Sequence, residues 1–500
     1  MTSESTTRAA KYRFGDGVGP GLLLGLSMRQ AMPLIIGVLW LTVALMAQVP
    51  LVGAVGPVAG MIVSFGRWRR APLHEVVAPG IRLLWQRWRS RRVWVRPSLL
   101  GSGPGFEQDV PDALSGIEIL SVAAAWLPDQ PSVAVVHDRP AGTVSIVLRV
   151  AGEGFAVSSL REQDGMVSAW GAAIAPLARA QCSVARITWQ EWSHPIGVAG
   201  HREFLATNGG LTRTDAASVE YRLLLEEQAP FTIDHDVLVT VTVDLRRVRT
   251  RRRSTVLEAG VESVCDEVRL LTSRLEAGDL RVDAPLSSAE LSSAIRLRSD
   301  PIRVSDGRLN SLRRSLSAAV GKGAVEWGPM AVEPEWFQLR VDGSVHRSFR
   351  IATWPMLPVA ADWLAPLLVG DAATRTVTVV AEPVPLSRAA QDANRQLTSI
   401  EADQQQKEKH GFRLTAREHR HRTDVETRER ELAEGHPEFR HVGFVTVTAA
   451  DSDELDDACA RVEQSAAQSM IDLRPLAARQ AEGWVASLPL GRSVQRGRWA

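Results

Sequence analysis

Between Ala31 and Gly66 the sequence lacks charge altogether: thirty-six residues pass without an Asp, Glu, Lys or Arg. That absence excludes an ordinary solvated helix. It leaves two apolar stretches, AMPLIIGVLWLTVALMA and PLVGAVGPVAGMIVSFG, parted at Gln48-Val49-Pro50. Each is near the lower end of the roughly 17–25 residues that cross a hydrocarbon core. Pro50 has no helical donor, which favours a turn over one long helix. The expectation is a two-helix transmembrane hairpin over residues 31–66, after an N-terminal segment 1–30. Arg8, Lys11, Arg13 and Arg29 precede it, Arg67, Arg69 and Arg70 follow it, and the turn is uncharged. The positive-inside rule then puts both termini on the cytoplasmic side of the cell membrane, in a multi-pass protein contacting the lipid bilayer.

Cysteine is almost as scarce. Cys182, Cys265 and Cys459 are the only three, far apart and without C-x-x-C spacing, which argues against a disulfide framework and a zinc site. Net charge is also lacking, at a formal +1, so the chain as a whole is not built to bind nucleic acid. A phosphate-binding loop of the G-x-x-x-x-G-K-S/T type is missing: the nearest string, Gly321-Lys322-Gly323, has Leu316 where the first glycine belongs and no hydroxyl after the lysine. Gly15, Gly17, Gly19 and Gly21 follow no strand, which removes the dinucleotide fingerprint. No catalytic residue, cofactor or metal is assigned.

Within the apolar stretch, Gly53, Gly56 and Gly60 mark a helix-packing face, against the chain's own first span or a partner helix. Residues 67–99 hold a basic amphipathic helix. Val77, Ile81, Leu84, Trp85 and Trp88 fall at helical spacing among Arg82, Arg87, Arg89, Arg91 and Arg92, and Pro79-Gly80 breaks its first turn. With Arg67, Arg69 and Arg70, this helix either contacts the membrane surface or packs on the next domain. Residues 100–112, containing GSGPG, are a linker.

Two cytosolic α+β domains follow, 113–300 and 301–500. Ile117–Ala124, Ser132–His137, Val144–Val150 and the run VARITWQEW read as strands, with a helix through Met166, Trp170 and Leu177. Strand 237–245 and helix 255–276 follow, and a related unit has strands 376–380 and 442–448 and a helix opened by Asp451 and Glu454. The alternation implies antiparallel sheets in ferredoxin-like units. Residues 387–434, rich in Gln, Glu, Arg and His, form a polar helical arm divided at His410-Gly411 and ended by Gly435 and Pro437. Such a helix pair reaches a partner or stands solvated.

The other chemical motifs are weak. His410, His419, His421, His436 and His441 lack metal-ligand spacing, and Asp234-His235-Asp236 reads as surface residues opening a strand. Arg246, Arg247, Arg249, Arg251, Arg252 and Arg253 have no interleaved aromatics, so a solvated turn or contact with an acidic partner is favoured over phosphate binding.

The order Tyr12-Arg13-Phe14-Gly15, two short apolar helices and a basic Trp-bearing helix resembles the small PrgI-type subunits of conjugative type IV secretion systems. VARITWQEW, WPMLPVAADWLAPLL and VGFVTVTAADSDELDDACARVEQ resemble the N-terminal, non-catalytic region of the conjugation ATPase. In that family a turn like Ser487-Leu488-Pro489-Leu490 leads into the nucleotide-binding domain, whereas here ten residues follow it. The chain is similar to an actinobacterial family of this length encoded near conjugation-like ATPases. The resemblance implies a non-enzymatic membrane scaffold subunit that docks a separate hexameric ATPase and other channel subunits, with homo-oligomers compatible. An EccE-like subunit of a type VII secretion machine is the alternative, and a membrane-tethered enzyme a third.

Overall fold

A computed structural model describes residues 28–68, 71–88, 93–96, 110–127, 130–151, 154–179, 181–195, 198–208, 215–228, 232–250, 254–302, 327–370, 373–409 and 416–492. Helices α1 (Met28–Met46) and α2 (Pro50–Phe65) form the apolar hairpin, and α3 (Leu73–Trp88) follows a two-strand turn, β1 (Arg67–Trp68) and β2 (Ala71–Pro72). This corrects the membrane expectation, since among the described residues no helix is long and apolar enough to cross a membrane. The lengths give the reason. At 1.5 Å per residue, the 16 residues of α2 reach about 24 Å, short of a core about 30 Å thick. Of the 19 residues of α1, the first three include Arg29 and Gln30. The transmembrane hairpin, the multi-pass topology and the cell-membrane localisation therefore do not stand. Helix α3 also differs from expectation, running unbroken through Pro79.

The remainder is α+β and built twice. The first half runs β3 (Trp94–Val95), β4 (Ile117–Ala123), β5 (Ser132–Asp138), β6 (Thr143–Ala151), α4 (Leu160–Ile174), β7 (Val184–Pro195), α5 (Ala199–Thr207), α6 (Ala216–Gln228), β8 (Ile233–Asp244), α7 (Val256–Glu276), β9 (Arg281–Pro285) and α8 (Ser288–Ser299). The second runs β10 (Ala331–Pro334), β11 (Leu339–Val341), β12 (Ser344–Thr353), α9 (Ala365–Val369), β13 (Arg375–Val384), α10 (Leu386–Lys409), α11 (Ala416–Ala433), β14 (Glu438–Ala449), α12 (Ser452–Gln468), β15 (Asp472–Pro475) and α13 (Gln480–Ser487).

From β6 to β9 the order is β-α-β-β-α-β, with β9 beside β6, β6 beside β8 and β8 beside β7. Strands β12 to β15 repeat it, with β15 beside β12, β12 beside β14 and β14 beside β13. This is the ferredoxin-like arrangement. Each copy is preceded by two added strands and carries a helical pair between its second and third strands. The copies join antiparallel along β7 and β13, which makes one continuous sheet of 13 strands.

Sequence echoes the repeat. LVTVTV (Leu238–Val243) in β8 matches FVTVTA (Phe444–Ala449) in β14, because both are central strands with buried apolar residues on one face and threonines on the other. On one face of the sheet, α4 and α7 close a core around Ile146, Val241 and Leu271, while α9 and α12 close the equivalent core around Phe349, Val445 and Val462. The other face holds α8 and α13 on a single core that joins Ile117 and Val136 of the first half to Val332 and Leu339 of the second. Both ends of the sheet thus reach one cluster, so the sheet curls around these two helices.

Candidate partner-docking elements

The long arm is α10 packed antiparallel on α11. Its base is apolar, where Ala389, Ala393 and Leu432 meet Val384 of β13. Further out the seam is mixed, with Val425 buried and Leu397 and Ile400 half-buried among polar contacts: Arg428 donates to both Glu438 oxygens at 2.9 Å and to Gln396, Arg422 reaches Gln404 at 2.7 Å, and Lys407 lies 2.7 Å from Glu418. Arg440 of β14 pairs with Asp392 at 2.8 Å. Hydrogen bonds and ion pairs therefore set the register of the two helices while most outward side chains stay exposed. Gly435, at φ +89°, supplies the left-handed turn that ends α11.

The first half carries a shorter pair, α5 and α6, at the equivalent point. His201 and Tyr221 bond at 2.8 Å across it, and Phe204, Leu223 and Leu224 are exposed.

The N-terminal helices dock through aromatics. Trp68 meets Trp336 edge-on at 5.3 Å and Phe337 at the same separation. Gly80 lets α3 approach closely, since a Cβ there would lie 2.6 Å from the Trp336 ring. Val76 and Ala71 join Ala477 in a small buried cluster. One face of α3 thus packs on the second half, while Ile81, Arg82, Leu84, Trp85 and Trp88 are exposed. Arg67 is exposed on β1 and Arg87 falls within α3; Arg69, Arg70, Arg89, Arg91 and Arg92 lie outside the described residues. In the hairpin, a Cβ at Gly53, Gly56 or Gly60 would strike Ala44, Trp40 or the Pro33 carbonyl, so all three glycines face α1.

The charged run after β8 forms an exposed turn. Arg247 donates to the Val184 carbonyl, Arg249 to Gln181, and Arg251 to Arg253 lie outside the described residues. His410 also lies outside them. His419 is exposed, His436 bonds the Glu431 carbonyl, and His441 stands edge-on to Trp354, where burial lowers its pKa. Among the described residues no three His, Cys, Asp or Glu side chains group to hold a metal. Burial pushes the Cys182 thiol up to about 11 and that of Cys459 to about 12, so neither is a ready nucleophile at neutral pH.

The Asp234-His235-Asp236 string is structural rather than decorative, at its last two positions. His235 bonds the buried Glu191 carboxylate. Asp236 takes Arg149 and Arg298, each at 2.9 Å. Burial opposes its charge, but the two guanidiniums prevail and hold its carboxyl below the usual range. Arg298 also lies over the Trp192 ring at 5.1 Å. These contacts escape a linear reading because the partners come from strands 87 and helices 62 positions away.

A C-terminal strap binds the halves together. Gln190 donates to the Ala486 and Leu488 carbonyls, Arg186 to that of Gly491, and Arg492 to those of Ala113 and Ser115. The Ser487-Leu488-Pro489-Leu490 turn is thus buried across the sheet. No protein-family model matches the sequence, and no curated protein matches it.

Proposed function

We propose that the chain is a non-catalytic scaffold subunit of a conjugative, type IV secretion-like apparatus, and that it docks a separate hexameric ATPase through its helical arms. The resemblance of its α+β region to the non-catalytic part of the conjugation ATPase motivates the choice of machine. The single observation that supports docking is the long arm: a helix pair rooted in an apolar base, braced above it by Arg428 on Glu438 and Arg440 on Asp392, and exposed along its outward faces. An arm held by a buried apolar base, with its register set further out by specific polar contacts, presents a fixed pattern of donors and acceptors to a partner.

The test is co-purification from the native cell. The intact chain should bring down a conjugation-type ATPase, and a variant with residues 386–437 replaced by a short glycine-serine turn between β13 and β14 should not. Equal recovery by both, or recovery by neither, contradicts the proposal.

A further inference from the structure

The internal repeat points to a slot for an added strand. Strand β10 ends the second half and is covered by β3, with Val332 opposite Trp94 and Ala331 opposite Val95, antiparallel. Arg96 follows, its amide donating to the Met330 carbonyl and its guanidinium to that of Gly328. Trp94 packs against the core shared by the two halves.

The equivalent of β10 in the first half is β4. Glu333 pairs with Arg340 as Glu118 pairs with His137, and Val332 and Ile117 are both buried in the shared core. One component of the cover is also present. Arg492 donates to the carbonyls of Ala113 and Ser115, which lie four and two residues before Ile117 just as Gly328 and Met330 lie four and two before Val332. The strand component has no counterpart: among the described residues nothing pairs with the outer side of β4. The Arg139 amide donates to the Gly116 carbonyl, which turns Gly116 and Glu118 toward β5 and leaves the backbone of Ile117 and Ile119 facing the open edge.

We infer that the edge of β4 at Ile117–Ile119 takes an extended segment of a partner protein, antiparallel, carrying an aromatic residue opposite Ile117 flanked by β-branched residues. Main-chain bonds supply attachment, and the aromatic ring supplies selectivity by reaching the core that Trp94 reaches on the other side. The inference rests on the docking reading for the existence of a partner, and on the repeat for its place.

The probe is a peptide copying β3 and its flanks, Arg-Val-Trp-Val-Arg (residues 92–96), added to the full chain. Hydrogen exchange at the Ile117 and Ile119 amides should slow at least tenfold with the peptide and stay unchanged with a version bearing glycine for tryptophan. Ile119→Pro, which removes an outward amide and none facing β5, should abolish the effect; should that variant misfold, the two peptides still decide. No protection, equal protection by both peptides, or protection in the chain alone overturns the inference, the last by assigning the edge to the chain's own residues. Protection by the peptide alongside failed ATPase co-purification would sink the proposed machine and leave the slot standing.

Discussion

Gln190 and Thr378 lie directly opposite one another where β7 meets β13, and each is the other's counterpart in the repeat. Gln190 has Leu238 on its far side and then Arg149; Thr378 has Phe444 and then Arg350. The row Arg149, Leu238, Gln190, Thr378, Phe444, Arg350 therefore reads alike from either end, as a two-fold axis through the junction requires. The two sites are not chemically alike. The Gln190 amide holds two strap carbonyls, whereas the buried Thr378 hydroxyl has no hydrogen-bond partner.

That asymmetry predicts opposite outcomes for two neighbouring substitutions. Gln190→Ala strands the Ala486 carbonyl, while that of Leu488 keeps the Leu490 amide, and should cost about 1–3 kcal/mol, the cost of one unsatisfied buried group. Thr378→Val removes an unpartnered hydroxyl at nearly constant shape and should change stability by less than about 1 kcal/mol. Urea denaturation of both variants checks the pair.

Acid should loosen the contact between the halves. His346 sits buried between them, accepting from the Thr448 hydroxyl at Nδ1 and donating from Nε2 to the Ser299 carbonyl, each at 2.9 Å. Burial pushes its pKa down to about 4, against the opposing pull of the Ser299 carbonyl and Asp300. The unfolded chain, titrating near 6.5, then binds the extra proton between about pH 6.5 and 4, so this group's contribution is complete above 6.5 and is lost as pH falls toward 4. The loss is of order 3 kcal/mol. In His346→Gln the decline in denaturation midpoint between pH 7 and 4.5 should be smaller than in the parent.

Close approach at Gly80 predicts a specific undocking. Gly80→Ala drives a methyl group into the Trp336 ring and should cost about 1–3 kcal/mol. Hydrogen exchange should rise in α3 while β12 and β14 keep their protection. Trp336→Ala, which removes the obstacle, should restore part of the tolerance in the double variant.

The arm should weaken unevenly. Arg428 is partly buried and forked onto Glu438, so Arg428→Ala should speed exchange throughout α11, at a cost of about 1–2 kcal/mol. Lys407 is more exposed where it pairs with Asp403 and Glu418, and Lys407→Ala should change local exchange by less than about 1 kcal/mol.

Elements whose signal is local were legible in the sequence. The alternation in VLVTVTVDL gave β8, Asp451 caps α12 by accepting from the Asp453 and Glu454 amides, and Gly435 ends α11 where composition shifts. Pro79 misled because α3 continues through it. The apolar hairpin misled because composition registers hydrophobicity without fixing the length of each helix. The register at Gln190 and Thr378, the strap and the Trp68 and Trp336 clasp depend on residues up to hundreds of positions apart, and no periodicity in one strand encodes its neighbour. The docking elements were half visible: the polar arm stood out by composition, while the β4 edge emerges only when the two halves are compared.

Photo-crosslinking from the arm tests the docking account most directly. With a photoreactive residue at the exposed Gln406 of α10, or as a control at the exposed Glu262 of α7, irradiation in native cells should yield an adduct containing a conjugation-type ATPase from Gln406 alone. No such adduct from Gln406, or equal adducts from both positions, would contradict it.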